Sequence, residues 1–97
     1  MLREKIIKII QNDQYFNIIR ITLDYIEIQS LNTQHCWIIR KLIYQNAVRY
    51  KLYHKHSIYK EYHHFQADNY YKINNVIDDI KKHDSWIISQ SQNKEIN

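Results

Sequence analysis

The sequence predicts a single small α+β domain: a short N-terminal helix, an antiparallel sheet of three to five strands, and one longer helix packed on the sheet. Three observations support this fold class. The chain has 97 residues, a length that suits one domain. Its apolar residues recur with a helical period near both ends of the chain. Between those two segments the period falls to two, which is typical of strands with one buried face.

The first two elements are a helix over residues 2–10 and a strand that begins at Phe16. The helix has a single apolar stripe, formed by Leu2, Ile6, Ile9 and Ile10. The strand has alternating apolar residues, namely Ile19, Ile21, Leu23 and Tyr25. Because Ile26 and Ile28 are out of phase with that set, we expect a bulge or a tight turn near Asp24.

Two further strands are predicted over residues 36–42 and 47–56, after a hairpin loop at residues 31–34. The turn between these strands is expected at Gln45-Asn46, because asparagine tolerates a positive φ and the chain has no glycine. In residues 47–56 the alternation separates an apolar and histidine-bearing face from a basic face. Residues 57–66 fit either a helical turn or a loop that leads into a strand over 62–66.

The longer helix is predicted over residues 70–83, with Asp68 or Asn69 as its cap. Its apolar stripe consists of Ile73, Val76, Ile77 and Ile80. We expect the stripe to pack on five residues of the sheet, which are Ile19, Ile21, Trp37, Ile39 and Leu52. Residues 86–88 are expected to form a closing edge strand. The domain then spans residues 1–88, and residues 89–97 form a polar C-terminal tail.

The composition excludes several classes of function. Without glycine the chain has no Gly-rich phosphate loop, which excludes ATP- or NAD-dependent chemistry by the usual motifs. Cys36 is the single cysteine, so an internal disulfide and a Cys-based zinc site are excluded. No apolar run approaches the ~20 residues that span a bilayer. Cations lie among the N-terminal isoleucines, which breaks the apolar segment that a signal peptide needs. We therefore expect a cytoplasmic protein that does not bind membranes.

Positive charge is concentrated in one stretch of the chain. The net charge is +4, and residues 40–64 hold six cations against Glu61 alone, a net charge of +5. The predicted binding residues are Arg40, Lys41, Arg49, Lys51, Tyr53, Lys55 and Lys60. Cations neutralise phosphates, and aromatic rings stack on unpaired bases. We expect a non-enzymatic protein that binds nucleic acid, or an acidic protein associated with nucleic acid, through this strand face.

The histidines suggest a second site. His54 and His56 are two residues apart on a predicted strand, so their rings leave the same face. His63 or His64 could return opposite them if residues 57–60 form a turn. The predicted metal ligands are His54, His56 and His63, which as neutral imidazoles could hold zinc or another divalent ion. We expect no other cofactor.

Two alternatives to the nucleic-acid-binding function remain open. The His54-Lys55-His56 segment resembles the His-apolar-His core of nickases that use a tyrosine nucleophile, with Lys55 at the apolar position. This resemblance implies a metal-dependent nuclease or nickase in which Tyr70 or Tyr71 is the nucleophile. The second alternative follows from residues with A/T-rich codons, which are compatible with a low-GC bacterium or a mobile element. It is a mobile-element-encoded inhibitor or adaptor of a host protein, with a homodimer through a sheet edge as a further expectation.

Overall fold

The computed structural model describes residues 2–58 and 63–96, and the predicted α+β class is confirmed. Two helices flank five strands in the chain: α1 (Leu2–Asn12), β1 (Phe16–Ile21), β2 (Tyr25–Ser30), β3 (Cys36–Tyr44), β4 (Ala47–Lys55), β5 (His64–Tyr70) and α2 (Ile73–Ile96). Each strand pairs antiparallel with the next, so the sheet is a meander with β1 and β5 at its edges.

The turn between β3 and β4 forms as the sequence predicts. Gln45 and Asn46 have φ angles of 51° and 64°, and they lie between the paired residues Tyr44 and Ala47. Two central residues with positive φ give a type I′ turn, whose twist matches that of the flanking strands. The two-residue turn therefore sets the register of the longest strand pair in the sheet.

The first hairpin has the predicted tight turn and, in addition, a bulge inside β1. A tight turn does separate β1 from β2 near Asp24, but the register shift lies inside β1, between Ile18 and Arg20. The extra residue interrupts the alternation of β1. Ile21 pairs with the buried Ile26 but is exposed because it ends the strand, and Leu23 is 90 % exposed in the turn. The prediction that Ile21 belongs to the core is wrong, and Ile19, which the sequence predicts with it, is half-buried and outside the core cluster.

The core lies between one face of the sheet and both helices. Helix α1 contributes Ile6 and Ile10, and α2 contributes its predicted stripe of Ile73, Val76, Ile77 and Ile80. These side chains pack against buried residues of the sheet, which include Ile26, Ile28, Trp37, Ile39 and Leu52. Because those sheet residues are register partners, they point to the same face. Both described helices therefore cover one face, and neither covers the other.

Helix α2 begins later and extends further than the sequence predicts. It starts at Ile73, while Tyr70 and the predicted caps Asp68 and Asn69 belong to β5. It continues to Ile96, so the predicted edge strand at residues 86–88 is wrong, and the residues expected to form a polar tail are helical up to 96. The domain boundary at residue 88 stays a prediction. Neither described helix is both long enough and apolar enough to cross a membrane.

The extended part of α2 contains a buried carboxylate. Asp84 follows Ile80 by four residues, so it continues the inward stripe of the helix, and it is 0 % exposed. Its two oxygens accept hydrogen bonds from the hydroxyls of Tyr15, at 2.6 Å, and Thr33, at 2.9 Å. These hydrogen bonds offset the free-energy cost of burying the carboxylate, so Asp84 can occupy a position where the helical pattern predicts an apolar residue.

Candidate functional sites on the two faces of the sheet

The helix-free face of the sheet carries most of the predicted binding residues. Arg40 is the register partner of both Tyr25 and Lys51, and Tyr53 lies between Ile38 and Phe65 in the next row. Register partners point to the same face. We define the basic face as Arg20, Tyr25, Arg40, Arg49, Lys51, Tyr53 and Phe65.

The side chains of the basic face are accessible to a ligand. Arg20, Arg40 and Phe65 are exposed, and the other four members are half-buried. The rings of Tyr53 and Phe65 meet edge to face, with centroids 6.0 Å apart. The guanidinium of Arg49 lies over the ring of Tyr71, 5.1 Å from its centroid, which fixes this cation beside an aromatic surface.

Two predicted members of this set are placed differently, and a third lies outside the described residues. Lys41 pairs with Tyr50 and points to the helix-covered face. Lys55 points to the helix-free face but is only 8 % exposed, and its Nζ lies 3.5 Å from a carboxylate oxygen of Glu27. The expectation that Lys55 is exposed is therefore wrong, because the lysine forms a buried ion pair. Lys60 lies outside the described residues.

His63, one of the predicted metal ligands, belongs to the same buried group. Its Nε2 lies 3.4 Å from the Glu27 oxygen that also faces Lys55. Burial is the main cause that lowers the pKa of His63, and the Lys55 charge lowers it further, against the opposing effect of Glu27. This histidine is therefore not brought together with the other two predicted ligands.

Five of the six histidines gather on the helix-covered face, at the end of the sheet where β4 stops. We define this histidine cluster as His35, His54, His56, His64 and His83. Its centre is a group of three, His35, His54 and His83, each of which offers one ring nitrogen within 4.8 Å of the others. The Nδ1 of His35 and the Nε2 of His54 are 2.8 Å apart, so one ring donates a hydrogen bond and the other accepts it.

The other two histidines lie at the exposed edge of the cluster. The ring of His56 has its centroid 5.0 Å from that of His54 and 5.1 Å from that of His35. His64 is the register partner of His54, and their ring centroids are 5.2 Å apart. The sequence thus predicts the contact of His54 with His56 and leaves His63 and His64 as alternatives, and the structure places His64 in the cluster.

Three different elements position the central histidines. His35 ends the loop between β2 and β3, directly after Gln34, whose φ of 64° is left-handed. The backbone N–H of His35 donates to the Thr33 hydroxyl, which in turn donates to Asp84. Because Asp84 is adjacent to His83 in α2, this chain of hydrogen bonds links the loop that carries one histidine to the helix turn that carries another.

Tryptophan rings form the apolar wall of the cluster. The Trp37 ring packs on His54 with centroids 4.3 Å apart, and it meets His83 edge to face at 5.1 Å. Its indole N–H donates to the Ser30 hydroxyl at 3.1 Å, which holds the ring in place. On the outer side, the exposed Trp86 lies 6.4 Å from the His83 ring.

Burial favours the neutral form of the three central imidazoles. Burial, and after it the neighbouring histidines with His83 first among them, together lower the pKa of His54 to about 3. Burial also lowers the pKa of His35 and of His83, although the Asp84 carboxylate opposes the shift in both rings. Neutral imidazole is the form that binds a metal ion.

The sequence did not identify His35 and His83 as members of the site. His83 follows Ile80 by three residues, so its place on the inward stripe of the helix is a signal that could have indicated it. His35 has no such signal, because it lies in a loop and reaches the cluster only through the fold.

The candidate nucleophile Tyr70 lies away from the histidine cluster. Tyr70 pairs with Tyr50, which is four residues before His54 in β4, a distance of about 13 Å along a strand.

Comparisons with known proteins leave the function to be argued from this geometry. No family model matches the chain, and no curated protein or solved structure shows significant similarity to it. The two faces of the sheet are therefore considered separately below, each from its own residues.

Proposed function

We propose that the protein binds single-stranded nucleic acid through the basic face. The observation that carries this proposal is that cations and aromatic rings lie side by side on a sheet face that neither described helix covers. Cations bind the phosphates of a strand, while rings supply surfaces on which unpaired bases stack. This combination suits a flexible single strand that can present both its backbone and its bases.

The charge balance of this face supports an anionic ligand. The side chains that the structure describes on these strands include one carboxylate, that of Glu27, which is 7 % exposed and lies beside Lys55. The accessible charge on the face therefore comes from the exposed Arg20 and Arg40 and from the half-buried Arg49 and Lys51. Phosphates that approach the face meet cations, and the Glu27 carboxylate is held away from solvent beside Lys55.

The shape of the face favours a single strand over a duplex. Side chains two residues apart on β4, such as Lys51 and Tyr53, are about 7 Å apart along the strand, and Arg40 lies across from Lys51 on the next strand. An open sheet surface lets a strand lie across it with its bases on the rings. Reading the major groove of a duplex instead requires an element that enters the groove, and the described helices lie on the opposite face.

The proposal is tested by fluorescence anisotropy with a labelled 12-nucleotide single strand, titrated with protein at several salt concentrations. Arg40→Gln and Lys51→Gln should each reduce the magnitude of the slope of log K against log salt by about 0.7. Lys41→Gln is the matched control, because Lys41 adjoins Arg40 in the chain but points to the other face. Tyr53→Leu should weaken binding by about 1–3 kcal/mol, through lost stacking, without changing the slope.

Two results would overturn the proposal: no binding to the single strand at low salt, or equal slopes for the Arg40, Lys41 and Lys51 variants. This experiment does not test the other expectations, which stay predictions: binding to an acidic protein, a role as an inhibitor or adaptor, and a homodimer. We do not extend the proposal to a nuclease, because the basic face and the histidine cluster are on opposite faces of the sheet.

A further inference from the structure

The histidine cluster is a second site, independent of the basic face. Its three central rings come from a loop, a strand and a helix, and their ring nitrogens converge to within 4.8 Å. In a tetrahedral zinc site with Zn–N bonds of 2.0–2.1 Å, ligand nitrogens are about 3.3 Å apart. The 2.8 Å pair of His35 and His54 needs to separate only slightly, and the widest pair needs to close by about 1.5 Å.

An unmet polar atom points to a ligand in this place. The Nδ1 of His83 is buried and has no hydrogen-bond partner among the residues that the structure describes. Buried polar atoms are nearly always paired, so such an atom calls for an explanation. Each neutral imidazole has one acceptor nitrogen, and the hydrogen bond between His35 and His54 uses only one of the three acceptors in the group. A cation held by all three rings would replace this hydrogen bond: the ring that donates it would carry its proton on its other nitrogen, and each ring would then give the ion one lone pair.

From this convergence we propose that His35, His54 and His83 bind one transition-metal ion of the zinc class. Nitrogen ligands favour zinc, copper, nickel or iron over magnesium and calcium, which prefer oxygen. The nearby carboxylate of Asp84 already accepts hydrogen bonds from Tyr15 and Thr33, so it acts as a support that fixes the positions of His35 and His83. The ligand set differs from the one that the sequence predicts, since it shares only His54 with it.

Binding of the ion would connect α2 to the sheet. His83 is in α2, His54 is in β4, and His35 ends the loop before β3. An ion held by all three joins these elements at a point beyond the apolar stripe of the helix. Because the ligands converge only in the folded chain, binding stabilises the folded state by mass action.

The test begins with full-length protein freed of metal by a chelator and then titrated with Zn²⁺ in a calorimeter. We expect one ion per chain. At a Zn²⁺ concentration about 100 times Kd, the melting temperature should rise by about 10 °C or more. Mg²⁺ at the same concentration should leave the melting temperature unchanged. The chain has two tryptophans, and both contact cluster histidines, so quenching of their fluorescence by Ni²⁺ gives an independent readout of binding near these rings.

Variants locate the ion. His54→Gln and His83→Gln should each lower Zn²⁺ affinity at least tenfold, while the matched control His63→Gln, on the other face of the sheet, should bind as the parent does. If His54→Gln fails to fold, the half-buried His83 provides the deciding variant. Absence of Zn²⁺, Cu²⁺ and Ni²⁺ binding, or an equal loss in the His63→Gln control, would overturn the proposal. Because the ligands are separate from the basic face, neither outcome depends on whether nucleic acid binds.

Discussion

Lys55 gives the sharpest test of how the sheet is built, because its place in the strand pattern indicates exposure and the structure buries it. Its Nζ is 3.5 Å from Glu27, and both side chains are nearly inaccessible. Removal of one partner from a buried ion pair costs about 3–5 kcal/mol. In Lys55→Glu a second carboxylate would stand beside Glu27, so we expect a loss at or above the upper end of that range.

Lys51→Glu is the matched comparison, since Lys51 lies two residues earlier on the same face of β4. Its side chain is half-buried and makes no ion pair that the structure describes, so the same charge reversal should change stability by less than about 0.5 kcal/mol. For a domain with a total stability of about 5–15 kcal/mol, the difference between the two variants is large.

Urea unfolding followed by tryptophan fluorescence measures this difference. With an m value of about 1–3 kcal/mol/M, the midpoint of Lys55→Glu should fall by at least about 1.7 M, whereas that of Lys51→Glu should move by less than about 0.5 M. Exchange of the charges, in Glu27→Lys combined with Lys55→Glu, should recover part of the loss. Equal midpoints for the two single variants would refute the reasoning that Lys55 is held in a buried pair.

Two further predictions concern the core and the buried histidines. Ile77→Asp should abolish the cooperative melting transition, because it buries an unpaired charge at a cost of several kcal/mol. The control Asp78→Asn, at the exposed neighbouring position, should melt as the parent protein does. A cooperative transition in Ile77→Asp would contradict the packing of α2. In chelator, the free energy of unfolding should decrease as the pH falls below about 6.5, because His54 stays neutral in the folded state, with its pKa lowered to about 3, while the unfolded chain takes up the proton. Urea unfolding at pH 7, 6 and 5 measures this trend. In His54→Gln the dependence of the free energy of unfolding on pH should be weaker, by up to about 1.4 kcal/mol per pH unit. Free energies of unfolding that do not change with pH in the parent protein would contradict the prediction.

The sequence predicts the elements whose residues follow a single uninterrupted period. Strand β4 alternates from Val48 to His54 without a break, and its turn at Asn46 uses a residue suited to positive φ. The stripe that begins at Ile73 is likewise regular. Where the fold departs from one period, the prediction fails: the bulge after Ile18 interrupts the alternation of β1, and the buried Asp84 hides the continuation of α2.

For the candidate sites, the sequence predicts the face to which a side chain points but not how deeply the side chain is buried. Alternation correctly separates Lys51 and Lys55 from His54, because it depends only on the pleat of the strand. It does not report that Lys55 is buried, since burial depends on what packs above the strand. The gathering of His35 and His83 around His54 is likewise a product of tertiary packing, because 19 residues separate His35 from His54 and no local period relates them.

Strand β4 supplies neighbouring residues to two surfaces that never meet, and this arrangement limits how the protein can vary. Lys51 and Tyr53 point away from the helices, whereas His54 points towards them. The two-residue turn at Gln45-Asn46 fixes that phase, so one inserted or deleted residue in the hairpin would exchange the two surfaces. Substitutions can alter either surface separately, but a change in the length of this hairpin, or a truncation that removes it, would alter both at once. Homologous chains that keep both surfaces should therefore differ in side chains along β4 while preserving the length of the hairpin.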